Sequence, residues 1–345
     1  MNICLVTPAP PGSRKGNRIT TERWACLLRD LGHRVEIVEE YNGLLCDLLI
    51  ALHAYKSYLS IRRFRDAHPA DPLVLGLTGT DLYGDIQTEP EARESLQLAT
   101  RLVVLQPLGR AVLPPIVLDK VRVIYQSVRL PSEVQSLVDD AASVVRRAND
   151  AASVVHGERN KSDIFEVCVM GHLRTVKDPL RTAMAARLLP ANSQIQVVHI
   201  GGALSAELAE QARAEEKQNP RYHWLGEMPQ RKALTVLSRC RLLSLTSESE
   251  GGANVISEAV VCGVPVISSH IDGTIGLLGD DYPGYFPVGD TLALANLLWQ
   301  AEVDAEFYNS LRGRCARLRP LFDPAREKQS WAELLSELFP GSEKG

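Results

Sequence analysis

The stretch Ser247 to Ser268, SESEGGANVISEAVVCGVPVIS, holds two glutamates eight positions apart, Glu250 and Glu258. Gly251, Gly252 and Ala253 follow the first glutamate, and a helical pattern opens at Asn254. Paired glycines let backbone come close to a ligand, and the N–H groups at a helix start suit phosphate. Glu258, on the first turns of that helix, can accept hydrogen bonds from a ribose diol, and Glu250 can reach a hexose hydroxyl. Gly263 closes the helix before the next strand. Two glutamates at this spacing also occur on solvated helix faces, so the weight rests on the glycines, the helix and a second basic segment. Together these residues describe a grip on a nucleotide sugar.

The second basic segment is GHLRTVKDP, beginning at Gly171, with Arg174 and Lys177 ahead of a helix expected over Asp178 to Leu189. Cations at a helix start oppose its dipole, so an anionic partner explains them better than a solvated surface does. A third cationic cluster lies in TPAPPGSRKGNRIT, between a strand at Ile3 to Val6 and a helix expected from Thr21 to Leu31. It carries three prolines with Gly12, Ser13, Arg14, Lys15, Gly16, Asn17 and Arg18, and the helix should be capped by Thr20 or Thr21 with Glu22 in its first turn. Such a nest suits a small tetrahedral anion, and the prolines pre-order a loop that gathers like charges. The alternative is a solvated basic turn. His53 stands at a strand end, and Thr78, Gly79 and Thr80 form a small polar loop in which Asp81 is a turn or cap residue. His199 and Trp24 read as core.

Positioning these groups requires two sheets. Strands are expected at Ile3 to Val6, Val35 to Val38, Leu48 to Leu52, Leu73 to Leu77, Leu102 to Leu105 and Val121 to Tyr125, with a further helix at Glu89 to Ala99. The alternation restarts at Glu166 to Met170, Gln196 to Ile200, Arg221 to Leu225, Leu242 to Leu245 and Val264 to Ser268, with helices at Ser205 to Gln218 and Asn254 to Cys262. This gives an α/β chain with an N-terminal doubly wound domain over 1–130, a helical connector over 131–163 and a second doubly wound domain over 164–322. DAASVV recurs at Asp140 and Asp150 within the connector, too short a repeat for a repeat architecture. An amphipathic helix from Asp323 to Phe339 presents Trp331, Leu334, Leu335 and Leu338 on one face. In open α/β sheets, ligands sit outside the carboxyl ends of the strands.

Composition narrows the function. With 345 residues and 45% hydrophobic content the chain can bury two cores. A net charge of -4 argues against a nucleic-acid partner. Seven scattered cysteines without a C-x-x-C pair fit core residues of a cytoplasmic protein and suggest no zinc site. No apolar run approaches the roughly 20 residues that span a bilayer, so no membrane is expected. No strand leads into a clean G-x-G-x-x-G, which disfavours a dehydrogenase.

Glu250, Glu258 and the following EAVVCGVPVIS resemble the donor signature of retaining glycosyltransferases of the GT4 family, whose GT-B fold pairs two Rossmann-like domains across a cleft. GHLRTVKDP resembles that family's basic diphosphate-holding segment, with Lys177 on the family lysine. His172 stands where arginine is usual, and Arg174 is the candidate replacement. LGHRVEI and DLLIALHA resemble family segments too, the latter setting His53 where a donor-sugar-contacting histidine often sits. The resemblance also implies that the last helix, within 323–345, crosses back onto the first domain. TPAPPGSRKGNRIT, GHLRTVKDPLR and VIYQS at Val123 resemble one branch, the selenosugar synthases of selenoneine biosynthesis.

That resemblance implies a UDP-sugar donor, UDP-N-acetylglucosamine or UDP-glucose, a selenophosphate acceptor and functional coupling to a selenophosphate synthetase. Its expected catalytic residues are Lys177, Arg174, Glu250 and His53. Gly171, Glu258 and the Glu250–Asn254 turn would complete the donor site. Residues 12–18 with Thr80 would hold the acceptor. Breaking the sugar C1–O bond puts negative charge on the departing diphosphate, and fixed cations can balance it. The chain shows no Asp-x-Asp pair, and metal-independent transfer is expected. Two alternatives stand beside this reading: a GT4 enzyme with a hydroxyl acceptor on a phosphorylated sugar or lipid, and a UDP-sugar-binding protein without transfer or a UDP-sugar epimerase.

Overall fold

Leu48–Leu52 and Leu73–Leu77 are buried at every position, as expected of central strands in a parallel sheet covered by helices on both faces. The computed structural model describes residues 1–13, 16–140 and 164–341. Its first sheet comprises β1 (Asn2–Val6), β2 (Arg34–Val38), β3 (Leu48–Leu52), β4 (Leu73–Leu77), β5 (Arg101–Val104) and β6 (Val121–Val123). They are ordered β2-β1-β3-β4-β5-β6 and all parallel. Between them run α1 (Gly16–Asp30), α2 (Tyr58–Ala67) and α3 (Pro90–Leu98).

Side-chain alternation along the strands divides the core into two layers. Cys4, Leu49, Ala51, Leu75 and Val104 pack with Phe64 of α2 and Leu96 of α3 on one face. Ile3, Leu5, Ile50, Val74 and Val103 pack with Trp24 and Leu28 of α1 and with Trp331 and Leu334 on the other. The last two belong to the C-terminal helix Pro324–Leu338, whose apolar face therefore docks on this sheet as its amphipathic pattern predicts. Trp24 and Trp331 meet edge-on at 4.8 Å, and Trp24 lies so close over β4 that a Cβ at Gly76 would fall 2.8 Å from its ring.

The second sheet contains β7 (Phe165–Met170), β8 (Ile195–Ile200), β9 (Tyr222–Gly226), β10 (Leu242–Leu245), β11 (Val266–Ser269) and β12 (Tyr285–Phe286). Their order is β12-β11-β10-β7-β8-β9, again wholly parallel. Its helices include α4 (Arg181–Arg187), α5 (Ala206–Gln218), α6 (Gln230–Leu237) and α7 (Asn254–Val261). Strand order reverses between β1 and β3 in the first sheet and between β7 and β10 in the second. Those are the switch points at which doubly wound sheets bind ligands.

The chain divides into two compact units, one of Met1–Ser127, Ser249–Asn254 and Leu321–Gly345, the other of Val128–Glu248 and Val255–Pro320. The glycine turn, read from the sequence as part of the second domain, belongs by its contacts to the first unit. In the expected connector, residues 132–140 are helical, and 141–163, with most of the DAASVV repeat, lie outside the described residues. All seven cysteines are free, five of them buried and Cys26 exposed. Among the described residues, no helix is long and apolar enough to cross a membrane.

Candidate functional site

Lys177 and Arg174 sit in the loop that leaves β7 at the second switch point. Thr175–Lys177 form one 3-10 turn, Asp178 adopts φ 42°, and the helix begins only at Arg181. The expected helix start at Asp178 is thus corrected: its left-handed backbone interrupts the chain, and its carboxylate pairs with Arg181 at 2.6 Å. Neither cation lies on the helix, so its dipole does not explain them. What fixes the turn is the segment just after β10: Thr246 Oγ1 donates to the carbonyls of Lys177 (3.0 Å) and Asp178 (2.9 Å), and Glu248 N donates to Val176 O at 2.9 Å. Arg174 is exposed and Lys177 half-buried.

The neighbouring loop after β8 is built by close backbone contact. Gly201 has φ 150°, and a Cβ there would fall 1.9 Å from the carbonyl oxygen of Gly171. His172 Nδ1 accepts from Gly202 N at 3.2 Å, which ties the loop after β7 to the loop after β8. His199 is core, as its sequence setting suggests. Its Nδ1 lies 2.9 Å from Tyr222 Oη and its Nε2 3.2 Å from Gly171 O.

Burial lowers the His199 pKa to about 4. The folded value lies below the unfolded value near 6.5, so unfolded chains bind the extra proton first, and stability falls as pH drops from about 6.5 toward 4. The loss is expected to be on the order of 3 kcal/mol for this group. Urea unfolding across that range should show a flatter pH slope for His199→Gln than for the native chain.

Glu258, in the second turn of α7, is buried and accepts from Gln230 Nε2 at 2.8 Å. Glu250 is half-buried in the glycine turn. Within the first unit that turn lies backbone against backbone on the loop after β4. A Cβ on Gly251 would stand 2.5 Å from Gly79 Cα and N, and one on Gly252 would stand 2.4 Å from Leu105 Cβ. No residue larger than glycine fits either position without movement.

Around Gly79 the polar loop predicted from the sequence is organised by Asp81. Fully buried, its carboxylate accepts from Ala54 N (3.1 Å), Thr78 N (3.0 Å) and Gly79 N (2.8 Å), joining the loops that follow β3 and β4. His53 is 1% exposed and holds φ 76°, a conformation that side-chain-bearing residues rarely adopt. Its Nδ1 accepts from Lys56 N at 3.3 Å, which assigns the ring proton to Nε2. That nitrogen lies 3.1 Å from Thr80 Oγ1 and 3.7 Å from Asp85 Oδ2. Burial lowers the His53 pKa and raises that of Asp85. The neutral imidazole is thus a directed N–H donor. Nothing in the local sequence distinguished Asp85, which the short helical segment Asp81–Asp85 brings beneath the histidine.

The loop after β1 differs from expectation. Helix α1 starts at Gly16, ahead of the anticipated Thr20 or Thr21 cap, and no acidic residue occupies its first turn. Thr20 and Thr21 are buried inside it, with Thr21 Oγ1 donating to Asn17 O at 2.7 Å. Glu22 instead pairs with Arg18 one turn apart at 2.7 Å. Gly12 has φ 76°, and Ser13 N donates to Pro10 O at 3.1 Å, closing a tight turn. Arg14 and Lys15 lie outside the described residues. Among the described residues, no three His, Cys, Asp or Glu side chains are grouped to hold a metal.

Comparison with known proteins agrees with this architecture. Residues 154–314 match the family Glycosyl transferases group 1. The structure is similar to that of Anabaena HepE in complex with UDP-glucose, with a TM-score of 0.71 at 17% identity over 98% of this chain and 100% of that one. Sucrose-phosphate synthase from Thermosynechococcus elongatus gives 0.72 at 15% identity over 99% of this chain and 100% of that one. A trehalose-phosphate synthase from Burkholderia xenovorans, in complex with glucose-6-phosphate, gives 0.65 at 11% identity over 94% and 79%. The chain therefore has the GT-B fold, and across residues 154–314 it is similar to the glycosyl transferases of group 1.

Proposed function

We propose that this protein is a glycosyltransferase that moves a hexosyl group from a UDP-sugar to selenophosphate, giving a sugar with a C1–Se bond. The donor half is supported by the group 1 match and by the loop geometry at the second switch point. The observation that carries it is the clamped turn at Lys177, a cation held beside the carboxyl ends of β7 and β10. The acceptor half is supported by the sequence cluster of Arg14 and Lys15, in the proline-rich segment after β1, with Arg18 in the first turn of α1.

In this reading the selenium of selenophosphate, ionised at neutral pH, attacks C1. The C1–O bond breaks, and its electron pair leaves on the UDP diphosphate, where Lys177 and Arg174 balance the charge. No strong general base is needed at the nucleophile. His53 turns its Nε2–H from Thr80 Oγ1 to an oxygen of the donor sugar, and Glu250 accepts from another sugar hydroxyl. Hydrolysis of the Se–P bond then releases phosphate. A metal ion is not assigned a role.

A second reading has support from Arg18, whose charge is partly answered by Glu22, and from the likeness to a synthase structure containing glucose-6-phosphate. In it, the same basic loop holds a phosphorylated sugar whose hydroxyl is the acceptor. Incubation with UDP-N-acetylglucosamine or UDP-glucose and selenophosphate, followed by mass spectrometry, separates the two. A selenium isotope pattern on the sugar supports the first; transfer only to a sugar phosphate supports the second. Replacing Arg14 and Arg18 together with alanine is expected to abolish use of selenophosphate while UDP affinity stays nearly intact. Parallel loss of both would show that the loop is structural.

A further inference from the structure

The glycine turn is held in place by a chain of polar side chains that reaches the C-terminal helix, all within the first unit. With its amide oriented by its neighbours, Gln126 Nε2 donates to Gly252 O (3.0 Å) and Asn254 Oδ1 (2.5 Å). Its Oε1 accepts from Arg23 NH2 (3.0 Å) and Thr20 Oγ1 (2.8 Å). Arg23 NH1 also lies 3.5 Å from Asn254 Oδ1. The Arg23 Nε donates to both carboxylate oxygens of Glu327, at 3.2 and 3.1 Å. Glu327 is 1% exposed and also accepts from Trp24 Nε1 (3.0 Å), Ser127 N (2.8 Å) and Ser127 Oγ.

A buried ion pair is a poor source of net stability, since desolvating both charges offsets most of their attraction. Well-packed apolar residues would join α1 to the last helix equally well. The ion pair does supply a fixed orientation: every donor on Arg23 that the network uses has a stated acceptor, and the last link holds a backbone carbonyl of the glycine turn.

We propose that Glu327, Arg23 and Gln126 are positioning residues for the sugar donor. They act through Gly252 and Asn254 without touching the donor themselves. Glu327 orients Arg23, Arg23 and Thr20 fix the Gln126 amide, and Gln126 sets the turn and the first residue of α7 in the geometry that receives the UDP-sugar. The inference rests on the UDP-sugar reading of that turn and says nothing of the acceptor.

Gln126→Glu and Gln126→Met test it. The glutamate can still accept from Arg23 and Thr20 but cannot donate to Gly252 O; the methionine keeps the length and loses every hydrogen bond. Both are expected to weaken UDP binding by calorimetry, and to raise the KM for UDP-sugar, about 10-fold, with acceptor KM unchanged. Glu327→Gln, which leaves the pair uncharged on one side, should show the same donor-specific change in smaller measure. Lower melting temperatures with unaltered UDP affinity in both Gln126 variants would overturn the proposal and leave a purely structural network. A native chain that binds no UDP would instead overturn the donor reading on which it rests.

Discussion

Lys177→Ala is expected to lower kcat on the order of 10²-fold or more, as removal of a single group opposing transition-state charge does elsewhere. The backbone at this position is immobilised from both sides, by Thr246 at the carbonyls of Lys177 and Asp178 and by Glu248 at the carbonyl of Val176. The backbone that carries the ammonium is thus already in place when the C1–O bond breaks. The negative charge on the diphosphate is greater in the transition state than in the bound donor, so the effect belongs in kcat more than in KM. Truncation leaves the backbone contacts of the turn in place. UDP release measured with saturating substrates checks this, and a near-normal rate would remove Lys177 from the leaving-group role. Lys177→Arg restores charge with a different reach and should recover part of the loss.

Much of this scaffold can be read from the chain because its strands are short apolar runs separated by helical patterns. β3, β4 and β10 match their expected bounds, since fully buried parallel strands leave a continuous hydrophobic signature. The two-residue β12 is too short to carry such a signature, and α2 was hidden because Arg62, Arg63 and Arg65 crowd its ten residues, leaving Ile61 and Phe64 to mark its apolar side. At α1 the cap signal misled. Thr20 and Thr21 are good caps by type, but the helix uses them inside its buried face and begins at Gly16, a weak helix former.

Candidate residues stood out in the sequence by glycine or charge, as at Gly251, Gly252 and Lys177. The network of Gln126 and Glu327 did not, because it joins distant parts of the chain, Gln126 to Gly252 and Ser127 to Glu327 about 200 residues on, which no local pattern encodes. Asp81 fell between these cases. A turn or cap could be read from LTGTD, whereas its reach to Ala54 N required the neighbouring strand.

Gly251→Ala should be the most damaging single methyl in the glycine turn. The added Cβ would meet Gly79 Cα and N at 2.5 Å and Thr78 C at 2.6 Å. All three are backbone atoms, so no rotamer change can make room. Gly79 is itself at φ 146°, and its amide is held by Asp81, which prevents the opposing loop from retreating cheaply. The turn must therefore move, carrying Glu250 and Asn254 with it. A displacement of about 1 Å at such a site can cost on the order of 10²-fold in rate, and kcat/KM for the UDP-sugar is expected to fall by at least that much.

Gly263→Ala supplies the contrast that separates lost space from lost conformation. Gly263 has φ 74° at the end of α7, yet nothing lies within 4 Å of its absent Cβ. Alanine there should cost about 1 kcal/mol through backbone strain alone, read as a lower melting temperature, with donor kinetics unchanged. If both variants lose stability alike and both retain kcat/KM, the contact between the glycine turn and the Gly79 loop has no part in the reaction. A selective loss at Gly251 would mean that the donor site depends on where the first sheet's β4 loop holds the turn, so that residues far outside the 154–314 match help to determine how the sugar is presented.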